Sequence, residues 1–150
     1  MPTFVKIVAA VLGSLGFSAM FNLRGRELLY VCLGGLITWL VYLIIYTFTP
    51  NDCFCALIAS CFTTIYAEFI AFRRQTPVTL YLVTSAVPLI PGAGLYQTFS
   101  QIVQSNFELA ATEGFHTLLF AASMSAGITL SSLAYHIIRR RLEQRRLFSK

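Results

Sequence analysis

The sequence predicts an all-α integral membrane protein with five transmembrane helices, the fourth of them broken. Three observations carry that prediction. The 150 residues are 57% hydrophobic and 11% charged, with mean hydropathy +0.72. Water-facing domains carry about 25% charged residues, so this deficit leaves too little polar surface for a soluble fold. Five apolar segments approach the about 20 residues needed to cross hydrocarbon. The basic residues, finally, fall in alternate connections between those segments. The length suits one unit, and residues 1–150 are read as a single transmembrane domain.

The first span runs from about 4 to 21, with Lys6 placed to snorkel to the interface. It has neither a basic leader region nor a small-residue cleavage site, so it is expected to stay as a span rather than be removed. The second, about 28–49, holds the sole tryptophan, Trp39. Pro50-Asn51-Asp52 then stops that helix and caps the next, because proline cannot continue a helix and Asn or Asp accepts from its first free amides. The third span runs about 53–72. The fourth begins after Pro77 and covers about 78–104, which as one straight helix would reach about 40 Å and overshoot the bilayer core. Two half-helices joined near 88–92 resolve the excess. Ser105-Asn106-Phe107-Glu108 reads as a capping box for the fifth span, about 115–138, which is followed by a basic tail, 139–150.

Topology follows from the cations. Arg24 and Arg26 lie between spans one and two, Arg73 and Arg74 between three and four, and Arg139, Arg140, Arg141, Arg145, Arg146 and Lys150 after span five. The other two connections carry only Asp52, Glu108 and Glu113. The positive-inside rule therefore puts the N-terminus outside and the C-terminus in the cytoplasm. The net charge of +5 then reflects topology and contact with membrane lipids, not nucleic acid. Multi-pass insertion in the cell (inner) membrane is the expected location.

Few polar groups sit at membrane depth, and each is a candidate. Glu68 shares a helical face with Ser60, Cys61 and Thr64; an intramembrane carboxyl is a functional candidate and could couple transport to protons. The alternative pairs it with Arg73 or Arg74 at the interface, and both readings stand open. In span five, Ser125, Thr129, Ser132 and His136 share one face, while Ser123, Gly127 and Ser131 have the spacing of close helix packing. His136 reads as an interface residue, and His116 as a pH-sensing group without a visible partner. Cys32, Cys53, Cys55 and Cys61 lack companions at metal-ligand spacing and read as buried thiols. No metal, no cofactor and no catalytic residue is expected; P-loop, nucleophile-elbow and paired-carboxylate patterns are missing from the sequence.

The stretch that organises the chain is Thr84 to Phe99, TSAVPLIPGAGLYQTF. Pro88 and Pro91 remove two links of the helical ladder, and Gly92 and Gly94 permit the backbone to turn. Broken backbone at membrane depth survives only where protein buries it or a wet cavity adjoins it. A half-helix starting near Ala93 aims free amides and the positive end of its dipole at that point, the arrangement by which discontinuous helices hold a carboxylate. Substrate-binding candidates are accordingly Thr84, Ser85, Pro88, Pro91, Gly92, Ala93, Gly94 and Tyr96, the hydroxyls adding donors. A packing kink is the simpler alternative.

At Pro88-Leu89-Ile90-Pro91-Gly92-Ala93-Gly94-Leu95-Tyr96 the chain resembles the threonine/serine exporter (ThrE) family, and within it the small YjjB-like membrane subunit. Glu68, Arg73-Arg74 and Pro77 ahead of the segment, and Gly16-Phe17 to Phe21-Asn22 near the start, extend the resemblance over nearly the whole chain. The resemblance implies a subunit of a secondary transporter that exports small carboxylates, threonine and serine or a dicarboxylate such as succinate, together with a larger YjjP-like subunit. A possible oligomer is left open. The reading from another class is a membrane scaffold that stabilises a partner transporter without transporting.

Overall fold

A computed structural model describes residues 3–23 and 25–148. Among them the chain is helical with no strand. The helices are α1 (Thr3–Met20), α2 (Arg26–Phe48), α3 (Asp52–Arg74), α4 (Val78–Ala86), α5 (Gly92–Val103) and α6 (Phe107–Phe148), with a 3-10 turn, Val87–Leu89, after α4. Arg24 and Lys150, invoked above for topology, lie outside the described residues, as do the side chains of Lys6, Arg145 and Arg146.

Among the described residues three helices are long and apolar enough to cross a membrane: α2, α3 and α6 over Phe107–Arg141. The pair Val78–Leu89 and Gly92–Val103 makes a fourth if the two count as one span, and their axes differ by 54°. The apolar part of α1, Ile7–Met20, is too short to count, so three or four of the five expected spans are found among the described residues. The expected break is present. Helix α4 ends at Ala86, the 3-10 turn carries Pro88, Ile90 is extended, and Pro91 precedes the first turn of α5. The prolines cause it, because neither can donate to the ladder. Gly92 and Gly94 keep φ values in the ordinary right-handed range, so the turn does not depend on their freedom.

The last helix extends past the expected span, about 115–138, at both ends. It begins at Phe107, beside the expected capping box, and continues through the basic segment to Phe148. Glu108 and Glu113 interrupt the apolar run without interrupting the helix, since polarity sets depth and not backbone conformation. The expected capping box is also displaced. Ser105 sits in the left-handed region at φ 61° outside the helix, and the Asn106 side chain donates to Gln101 Oε1 at 3.2 Å across the short α5–α6 turn. The Asn51 cap of α3 does form, accepting from the Phe54 amide at 3.2 Å.

Cross-helix contacts set the layout. Tyr66 donates to the Tyr30 carbonyl and Tyr42 to Asp52, so α2 and α3 are antiparallel. Asp52 faces His116 and Glu68 faces Ser132, so α3 and α6 run side by side in the same direction. Tyr81 bonds Glu27, which brings the start of α4 to the start of α2. The bundle thus has an Asp52 end and an Arg74 end. Small residues allow close approach, as between membrane helices generally. A Cβ at Gly34 would meet Ser85 Oγ at 2.1 Å, at Gly35 Ser14 Oγ at 2.2 Å, and at Gly127 Ser60 Oγ at 2.1 Å. Near the Arg74 end Val31, Ala67, Ala71 and Tyr81 form the buried apolar cluster.

One placement matters for the site. Helix α5 packs on the first turns of α6, with Gly94 against Thr117 and Thr98 against Gly114. Measured along α6, Phe107 stands nine residues, about 14 Å, beyond His116, the residue level with Asp52. The break therefore lies toward the Asp52 end of the bundle, and much of α5 stands beyond it.

Candidate functional site

The break lines a cleft of about 470 Å³ at the Asp52 end. Pro88, Leu89, Ile90, Pro91, Ala93 and Gly94 form one wall; Trp39 and Tyr42 come from α2, Asp52 from the start of α3, and Glu113, His116, Thr117 and Phe120 from α6. Gln97 of α5 completes it. Each element supplies its part for a local reason. Asn51 starts α3, which places Asp52 in its first turn, where a carboxylate favours the helix dipole. Trp39 and Tyr42 are one helical turn apart, and their rings stack 5.3 Å apart. The missing Cβ at Gly94 lets α5 close on Thr117, whose Oγ1 would lie 2.4 Å from it.

The ionisable groups that line it are Tyr42, the carboxyls of Asp52 and Glu113, and the imidazole of His116. Tyr42 Oη donates to Asp52 Oδ1 at 2.8 Å, and His116 Nε2 lies 3.8 Å from Asp52 Oδ2. Glu113 adds a second carboxylate, and among the described residues no Lys or Arg lines the cleft. At the α5 N-terminus, which lines the same cleft, the Gly92 amide donates to the Ile90 carbonyl at 2.7 Å and the Leu95 amide to the Pro91 carbonyl at 3.1 Å, so Ala93 and Gly94 carry the amides that the helix itself leaves without acceptors. The indole Nε1 of Trp39 is buried without a hydrogen-bond partner. The cleft offers an apolar floor, an acidic rim and a patch of backbone donors. A second, mostly apolar hollow of about 450 Å³ shares Trp39, Pro88 and Ala93 and is completed by Ala9, Ala10 and Val87.

The structure brings together part of the expected set. Pro88, Pro91, Ala93 and Gly94 line the cleft; Thr84, Ser85, Gly92 and Tyr96 do not. Thr84 is fully buried and donates to the Leu80 carbonyl of its own helix. Ser85 is buried against Gly34 with its hydroxyl unpartnered. Tyr96 is 74% exposed on the side of α5 turned away. One turn of helix carries about 100° per residue, so nearness in sequence did not place these hydroxyls at the break. Sequence reasoning missed Trp39, Tyr42, Asp52, Gln97, Glu113, His116, Thr117 and Phe120. Their signal was available, since Asp52, Glu113 and His116 all sit at the arginine-free ends of the spans.

Glu68 lies far from this cleft. It is 4% exposed between α3 and α6, accepts from Ser132 Oγ at 3.1 Å, and has His136 Nε2 at 3.5 Å. The alternative pairing with Arg73 or Arg74 is not what forms. Arg74 donates through Nε to Glu27 at 2.8 Å, and Arg73 lies over the Phe69 ring at 5.1 Å. Arg73 and Arg74 stand on α3 more than one turn past Glu68. Of the Ser125–His136 face, Ser132 and His136 reach Glu68, whereas Ser125 and Thr129 are exposed and Thr129 bonds the Ser125 carbonyl.

A family model described as Threonine/Serine exporter, ThrE, matches residues 6–134, which include both the break and Glu68. No curated protein matches the chain, and no solved structure does.

Proposed function

Because the chain belongs to the threonine/serine exporter, ThrE, family, we propose that it is a subunit of a secondary exporter whose substrate is a small zwitterionic amino acid, threonine or serine. The family is one of exporters rather than enzymes, and the apolar helices make the chain a multi-pass membrane protein. The observation that carries the proposal is the charge pattern of the cleft. Its volume of about 470 Å³ lies in the range of small-ligand sites. The amides at the start of α5 receive the substrate carboxylate, and Asp52 with Glu113 receives the ammonium.

That pattern also separates the two substrate classes. A dicarboxylate such as succinate would set its second carboxylate against Asp52 and Glu113, and like charges in a partly dry cleft repel by several kcal/mol at about 4 Å. The proposal includes five spans with the N-terminus outside, which makes the Asp52 end external and the Arg74 end cytoplasmic in the inner membrane. It includes a larger YjjP-like subunit, for which the exposed apolar side of α6, with Leu118, Leu130 and Leu133, offers surface. Glu68 is the coupling carboxyl of the cycle.

The test is export of labelled serine, threonine and succinate from cells carrying this chain alone, the larger subunit alone, or both. Export of serine or threonine that requires both is the expected result. Export of amino acids by the larger subunit alone would reduce this chain to a scaffold. Preferential export of succinate would overturn the substrate assignment.

A further inference from the structure

We propose that Glu68 and His136 form a proton-exchange pair open to the Arg74 end of the bundle, His136 serving as the port to water and Glu68 as the buried carrier. The proposal rests on the export reading above and extends it to a second residue and a direction of access. A carboxyl at this depth is costly unless its charge is compensated or neutralised by a proton. Glu68 is 4% exposed, whereas the His136 side chain is 57% exposed. The imidazole thus has one edge 3.5 Å from Glu68 Oε1 and the other in the surroundings. A closing of a few tenths of an ångström brings the pair to hydrogen-bond distance. Ser132 Oγ, at 3.1 Å from the same oxygen, is a positioning residue that holds the carboxylate toward α6.

Among the described residues, the hollow that Glu68 lines lies at the Arg74 end, with His136 adjoining the carboxyl outside that lining. It measures about 200 Å³ and is bounded by Phe72, Gln75, Thr76 and Arg139. The titratable and charged groups that face the carboxyl are His136 and Arg139, both on α6; the α3–α4 connection brings only the neutral Gln75 and Thr76. The Arg139 guanidinium lies over the Phe72 ring at 4.5 Å, and Arg74 is engaged with Glu27. Toward the Asp52 end the α3–α6 seam is closed. Thr64 and Ser60 are buried and donate to carbonyls of their own helix, and Gly127 packs on Ser60 without room for a Cβ. A proton that reaches Glu68 in this conformation comes from the Arg74 end and returns there. Such single-sided access is what a coupled carrier requires of each of its states.

The step balances without a further reagent. The Nε2–H of imidazolium passes its proton to Oε1 of the carboxylate, leaving neutral imidazole and a carboxylic acid. The neutral ring keeps its proton on Nδ1; a ring flip turns the bare Nε2 to the exposed side, where hydronium protonates it and leaves water, and the reverse sequence empties Glu68.

Everted membrane vesicles that contain the chain with its larger subunit test the pair, since they present the Arg74 end to the medium. Net gradient-driven transport of labelled serine or threonine is compared with equilibrium exchange, which needs no net proton movement. Glu68→Gln should lose net transport at least about tenfold while exchange persists, and His136→Ala should lose net transport by a similar factor. Added imidazole should restore His136→Ala in proportion to its concentration and leave Glu68→Gln unchanged; a structural role for His136 gives no such rescue. Net transport by His136→Ala within about twofold of the parent, or a loss that imidazole does not relieve, overturns the pair. Should the parent vesicles move neither substrate in either assay, the export reading fails instead. The pair is then judged by dicyclohexylcarbodiimide, which modifies carboxyls in their protonated form, with peptide mass spectrometry as the readout. Label at Glu68 that forms more slowly in His136→Ala than in the parent supports it; equal labelling of the two, or no label at Glu68, overturns it.

Discussion

Gly127→Ala is the most discriminating single change to the bundle, because its outcome follows from distances at one contact. A Cβ at this position would stand 2.1 Å from Ser60 Oγ and 2.5 Å from the Leu57 carbonyl oxygen. The serine hydroxyl can rotate away, but the carbonyl belongs to α3 and moves only with it. Restoring an ordinary contact of about 3.4 Å requires α3 and α6 to separate by about 1 Å, and forced separations of packed helices cost about 1–3 kcal/mol. Alanine favours helix over glycine by about 1 kcal/mol, which leaves a net loss of up to about 2 kcal/mol. Gly92→Ala supplies the control, because a Cβ there meets nothing within 4 Å. The same exchange should leave stability within about 0.5 kcal/mol or raise it slightly. Unfolding by SDS titration in mixed micelles, followed by the fluorescence of Trp39, measures both. The separation would also stretch the 3.1 Å Ser132–Glu68 bond past hydrogen-bond range, so Gly127→Ala should lower net transport as well as stability. Equal stability of the two variants would refute the claim that α3 and α6 are held at this distance by the missing Cβ.

Two further outcomes follow from the cleft. Asp52→Asn removes a charge-assisted partner for the substrate ammonium, worth about 1.5–3 kcal/mol, and should raise the KM for serine about 10- to 100-fold; Glu108→Gln, whose carboxylate does not line the cleft, is the comparison, and equal KM values for the two variants would remove Asp52 from the site. Tyr96→Phe should transport serine within about twofold of the parent, because Tyr96 is 74% exposed and lies off the cleft; a larger loss would show that α5 rotates to bring its hydroxyl to the substrate.

The break itself was legible because its cause is covalent. Proline lacks the amide hydrogen whatever surrounds it, so Pro88 and Pro91 had to interrupt a ladder wherever the segment lay. The glycines were misread for the opposite reason. Their proximity to the prolines suggested backbone freedom, yet both are helical, and Gly94 is required only because Thr117 of another helix sits where its Cβ would be. Glu68 illustrates the same divide. Its depth and cost could be read from the apolar run around it, but its partners were sought in Arg73 and Arg74, close in sequence. They proved to be Ser132 and His136, more than sixty residues away.

By itself, then, the sequence determined the membrane character of the chain, the approximate helices, the break and the presence of one deep carboxyl. Each depends on composition along a single segment or on the covalent nature of single residues, and those act regardless of neighbours. Only the tertiary structure decided which polar groups meet. The parallel run of α3 and α6 brings Asp52 to His116 and Glu68 to His136, while the packing of α4 and α5 leaves Thr84, Ser85 and Tyr96 outside the cleft they were assigned to. The physical reason is that helix-to-helix register is set by close packing at a few small residues, Gly34, Gly35, Gly94 and Gly127. Which residue fills the space opposite a missing Cβ is a property of two helices at once and is written in neither alone.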